Sequence, residues 1–117
     1  MQRDARAYLQ DILDACTAIE SALAGLDFQS YLANRLVRSA VEREFIIVGE
    51  AAAALSHLDA SLFAKISHGQ RIVDFRNQLT HEYPHVDDRI VWLIAAEDVP
   101  VLKRECENLL ASLPGEG

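Results

Sequence analysis

An all-α fold is predicted for this chain by two observations. Apolar residues recur at spacings of three and four along most of its length, and the β-branched residues fall at those same helical intervals rather than in strand-like alternation. There is no internal repeat and no low-complexity segment. At 117 residues the chain fits one domain, residues 1–117, with one hydrophobic core.

The elements follow in order. Ala5, Leu9, Ile12, Cys16, Ile19, Leu23 and Leu26 form the stripe of an amphipathic helix over about 3–24. Gly25 is its stop, because only glycine enters the left-handed conformation there without steric cost. A second helical region covers about 30–56, with Ser30 as candidate cap and Asn34 as a candidate break. Its run from Phe45 to Leu55 is apolar nearly all round apart from Gly49 and Glu50, which makes it the central helix. The segment from His57 to Gly69 is irregular, and its His57 and His68 are expected in solvent. A third helix over about 68–82 carries Ile72, Phe75 and Leu79 and must end before Pro84. The last spans about 87–112, capped by Asp87 and restarted or kinked at Pro100.

Half of the residues are hydrophobic and a quarter are charged, the balance of a globular protein. The longest apolar runs are too short to span a bilayer and the N-terminus lacks an apolar signal core, so a cytoplasmic protein with no membrane association is expected. Cys16 and Cys106 lie among apolar residues at helical spacing and form no CxxC pair, which predicts two reduced core thiols. The net charge of −7 excludes non-specific adhesion to nucleic acid and gives no expectation of DNA binding. Any RNA site must be a local basic cleft, to which Arg35, Arg38, Arg43, Arg71 and Arg76 are candidates.

The stretch "DFRNQLTHEYP", residues 74–84, gathers Arg76, Asn77, His81 and Tyr83 at a helix C-terminus. On a helical wheel with Arg76 at zero, Thr80 falls at about 40°, Asn77 at about 100° and His81 at about 140°, away from the apolar arc of Ile72, Phe75 and Leu79. Val73 is a misfit within the polar arc, as though another subunit covered it. A permanent cation, an amide and an imidazole on one surface are what a metal-free phosphodiester cleavage needs. Arginine holds a phosphate and stabilises its growing charge, and histidine moves a proton near neutral pH. Spacing alone is a weak signal and favours a solvated helix end, with Arg76 paired to an acidic neighbour, His81 favoured by the helix dipole and Tyr83 packed on the core edge.

The order Arg76, Asn77, His81, Tyr83 also resembles the RN-x3-H-x-Y signature of the HEPN superfamily, in its HepT-like branch of bacterial toxin proteins. "RDARAYLQDILDA", "LDFQSYLAN", "VGEAAAAL" and "VDDRIVWLIAAEDVPVLK" resemble members in order and spacing, over about residues 3–110. The segment between Leu58 and Gly69 departs, lacking the proline- and tryptophan-containing lead-in of relatives. The resemblance implies a four- to five-helix antiparallel bundle that dimerises across the motif helix. It implies a metal-independent endoribonuclease, acting on RNA such as tRNA or mRNA with no cofactor. It further implies the toxin of a toxin–antitoxin system, whose minimal nucleotidyltransferase antitoxin joins it in a larger hetero-oligomer and AMPylates the motif tyrosine. Carried over residue by residue, Arg76 and His81 are catalytic, Asn77 assists them and Tyr83 is the AMP acceptor. The alternative within the superfamily is a non-catalytic adaptor that binds a nucleotidyltransferase or a nucleotide.

Two supporting residues complete the expectation. Glu50, amid apolar neighbours, is expected to be a buried carboxylate paired with an arginine, either one that positions helices or Arg76 itself. Arg71 is expected to line the cleft ahead of Arg76. His81 and His85 with Asp87 and Asp88 are poorly spaced for a metal, and no metal is expected. Trp92 reads as core or interface.

Overall fold

The computed structural model describes residues 3–81 and 86–114, and every described element is helical. Six helices follow one another: α1 (Ala5–Leu23), α2 (Phe28–Ala33), α3 (Arg35–Leu58), α4 (Ala60–Phe63), α5 (Gly69–His81) and α6 (Asp88–Ser112). α1 packs against both α3 and α6, and α5 packs against α3. Arg6, in the first turn of α1, reaches the carbonyls of Leu110 and Leu113, while Glu20 near its end meets Lys103 at 2.8 Å. α1 and α6 are therefore antiparallel.

Short polar side chains set most of the helix starts. Asp4 accepts from the Ala7 amide, Asp27 from Ser30, Asp59 from Leu62 and Asp87 from Arg89, each satisfying one of the free N–H groups of a first turn. Gly25, at φ +78°, turns the chain after α1.

The candidate break at Asn34 divides the region over 30–56 into two helices: the Asn34 side chain accepts from the Val37 amide at 3.1 Å and holds its own backbone extended. Two details differ from the sequence reading. The cap of the first piece is Asp27, with Ser30 supplying the amide rather than the side chain. Pro100 does not restart the last helix: α6 runs through it. The carbonyl that loses its partner belongs to Ala96, and both residues face solvent, where water can take the lost donor's place.

The core is one cluster in which Leu9, Ile12, Cys16 and Ile19 of α1 meet Phe45, Val48 and Leu55 of α3 and Val99, Leu102 and Cys106 of α6. Phe45 stands edge-on to Phe75 of α5 with ring centroids 5.2 Å apart. Trp92 is half-buried against Phe28 and Tyr31. Val73, the expected misfit, packs on this cluster from within its own chain. No helix among the described residues is long and apolar enough to cross a membrane.

Cys16 and Cys106 are free and fully buried at the α1–α6 seam. Burial pushes both thiols up to about 12, with Cys106 adding to the effect on Cys16. A thiol kept protonated by folding stabilises the native state below its unfolded value near 9.0, and that contribution is lost as pH rises from there toward 12. Two outcomes are expected. The native protein at about pH 8 reacts with a disulfide reagent far more slowly than the urea-unfolded chain. Its unfolding midpoint then falls as the pH passes about 9. Equal reaction rates in the native and unfolded protein would show that the seam opens.

Candidate active site at the end of helix α5

The motif residues occupy the last two turns of α5. Gly69, Ile72, Phe75 and Leu79 form its buried row, one residue per turn. Asn77, Thr80 and His81 are exposed, and Arg76 is half-buried. The Thr80 hydroxyl donates to the carbonyls of Arg76 at 3.1 Å and Asn77 at 3.2 Å, which ties down the turn that carries the motif. His81 closes the helix, where the dipole favours a cation. Tyr83 lies outside the described residues, as does His85.

Arg76 owes its position to Gly49. A Cβ at position 49 would stand 2.1 Å from Arg76 Cβ, 2.6 Å from its Cγ and 3.3 Å from the Ile72 carbonyl oxygen. α3 and α5 thus cross with no side chain from position 49 between them, and the stem of Arg76 fills the gap. Its Nε is buried and has no hydrogen-bond partner, and Arg76 makes no ion pair among the described residues. Pairing with an acidic neighbour, the bland reading of Arg76, is therefore absent among those residues.

The two supporting residues are placed differently from expectation. Glu50 is exposed and has no ion pair among the described residues, because it lies on the solvent stripe of α3 with Arg43 and His57, each seven residues apart. Its apolar sequence neighbours point the other way. Arg71 sits about 140° around α5 from Arg76, and its Nε lies 3.1 Å from Asp98 Oδ2 of α6. It braces the bundle instead of lining the Arg76 surface.

The sequence of α6 holds a residue that the motif reading passed over. Asp98 is only 2% exposed, the one charged side chain among the described residues that is buried. Its contact with Arg71 is an ion contact lacking hydrogen-bond alignment, since Oδ2 has no aligned donor. On α3, Glu44 likewise holds one carboxylate oxygen buried and unpartnered among the described residues. The signal for Asp98 was its place on the inward stripe with Val91, Ile94, Leu102 and Cys106; Glu44 had none that stood out among the charges of α3.

Residues 12–109 match the family model described as Ribonuclease HepT-like. The chain belongs to the HepT-like ribonuclease family. Among its relatives is "Putative RNase MJ1380" of Methanocaldococcus jannaschii, 32% identical over 106 residues that cover 91% of this chain and 96% of that protein. "Probable ribonuclease HepT" of Thermococcus cleftensis is 32% identical over 109 residues, 93% of this chain and 98% of the relative. "Putative RNase TTE0752" of Caldanaerobacter subterraneus is 28% identical over 105 residues, 90% and 93% of the two chains. No solved structure gives a significant match.

In this HepT-like chain the α3–α5 crossing should tolerate no methyl group. Overpacking costs about 1–3 kcal/mol, and replacing a helical glycine by alanine returns about 1 kcal/mol, so Gly49→Ala is expected to be destabilised in urea unfolding. A Gly49→Ala protein more stable than wild type would show that the helices part easily there.

Proposed function

We propose that this protein is a metal-independent endoribonuclease, the toxin of a toxin–antitoxin pair, with Arg76 and His81 as its catalytic residues. The observation that carries the reading is the surface at the end of α5, where Arg76, Asn77 and His81 share two turns in a chain of the HepT-like ribonuclease family.

Each residue has a chemical task. The His81 imidazole takes the proton of a ribose 2′-hydroxyl, whose oxygen attacks the adjacent phosphorus; the bond to the 5′-oxygen breaks, and that oxygen receives a proton as it leaves. Arg76 balances the extra negative charge on the phosphorus oxygens at the transition state. Asn77, exposed beside them, orients the phosphate or the imidazole through its amide.

In this reading two copies of the chain bring their motifs together across one cleft, doubling the arginines that face the RNA while the outer surface stays acidic. Leu36 at 81% exposure, Ile90 at 46% and Leu93 at 50% support a chain that buries further surface against another. The regulatory partner is a minimal nucleotidyltransferase, whose action joins Tyr83 Oη to the α-phosphorus of ATP with pyrophosphate leaving. A protein adenylylated at Tyr83 then carries added bulk and negative charge on the motif and rejects RNA.

Induced expression tests the reading. Wild type should arrest growth and leave new RNA ends, while folded Arg76→Ala and His81→Ala proteins should do neither. Three cultures that grow alike with intact RNA would favour the non-catalytic adaptor. Binding of RNA should weaken steeply as salt rises, because each neutralised phosphate releases counterions. A salt slope near zero would contradict an arginine-lined cleft.

A further inference from the structure

We infer that Asp98 is a positioning residue for the cleavage reaction: from α6 it holds the motif helix α5 by its N-terminal end and so sets where Arg76 and His81 stand. The kinetic part rests on the ribonuclease reading, while the mechanical part stands without it.

Helix α5 has only 13 residues and its buried row is narrow. A helix this short has little stability of its own, so its orientation depends on what its neighbours hold. On the α3 side the crossing at Gly49 sets the distance of approach. On the α6 side two carboxylates grip the start of the helix. Asp98 holds Arg71 at 3.1 Å. Glu105, two turns further along the same face of α6, accepts from the Ser67 amide at 3.1 Å and from the Ser67 hydroxyl at 2.5 Å. Arg71 and Ser67 are four residues apart, and their partners run in the opposite order, so α5 and α6 lie antiparallel with both rungs at one end. No other hydrogen bond or ion pair joins residues 67–81 to α6 among the described residues.

The two rungs differ in cost. Glu105 and Ser67 are at the surface, but Asp98 is buried, and removing a carboxylate from water is expensive. The Arg71 side chain is 52% exposed, and a half-exposed ion contact contributes little net stability, so stability is a poor explanation for a buried carboxylate here. Direction is a better one, because an ion contact fixes where along α6 the Arg71 turn must stand. His81 lies ten residues from Arg71, about 15 Å along the axis, so a tilt of about 4° at the grip moves it about 1 Å, a misplacement that costs an enzyme up to about a hundredfold in rate.

Two variants test this, Asp98→Asn and the apolar double variant Arg71→Met with Asp98→Leu. Each is compared with wild type in single-turnover RNA cleavage, RNA affinity and amide hydrogen exchange. The expected result is a cleavage rate lower by roughly tenfold or more in both, with RNA affinity within about twofold. Exchange should be faster across Ile72–His81 and unchanged in α1 and α3. The double variant guards against a trivial loss of fold, since it leaves no unpaired charge.

Unchanged exchange in α5 would overturn the inference, and so would faster exchange with full cleavage or faster exchange throughout the bundle. If wild type itself does not cleave RNA, the ribonuclease reading fails while the exchange profile still decides whether Asp98 holds α5.

Discussion

A side chain at position 49 would need the space that the stem of Arg76 fills, its Cβ falling 2.1 Å from Arg76 Cβ. That contact couples the central helix to the motif helix more tightly than apolar packing between two full-sized side chains would. It has two consequences for the site. The first carbons of Arg76 are part of the packing, so the guanidinium sits on a partly immobilised stem; on the proposed reading it loses less conformational freedom when a phosphate binds. The second is that Nε is taken out of water with nothing offered in exchange among the described residues.

The rest of the bundle keeps that crossing in place. Phe45 against Phe75 sets the spacing beside Gly49, and α1 supports α3 from behind with Leu9, Ile12, Cys16 and Ile19. α6 returns along α1 and reaches α5 through Asp98 and Glu105. The motif helix is therefore held on one side by close apolar contact and on the other by polar contact. The end that bears His81 points away from both polar rungs, next to the stretch that contains Tyr83.

Helical periodicity made the faces of α5 legible: Ile72, Phe75 and Leu79 had to point inward, which left Asn77, Thr80 and His81 outside. Caps of one residue were less legible. Asp27 and Ser30 both suit a helix start, and nothing local decides between them. Pairings across the bundle were not legible at all. Arg71 looked like a companion of Arg76 because it is close in sequence, yet it faces α6; Glu50 looked buried because its neighbours are apolar, yet a helix turns it into solvent. The lone glycine in the densest apolar run was the one sequence signal for the crossing. A helical glycine costs about 1 kcal/mol relative to alanine, so its presence there suggests a packing reason.

The central claim is that the end of α5 cleaves RNA with its own side chains, a proton moved by His81 and charge balanced by Arg76. The most direct measurement is the chemistry of the ends left on RNA by the purified protein in excess chelator. Attack by the 2′-oxygen predicts 2′,3′-cyclic phosphate and 5′-hydroxyl ends, formed without added metal and absent with His81→Ala. Products with 3′-hydroxyl and 5′-phosphate ends, or cleavage that appears only when a divalent cation is supplied, would contradict it.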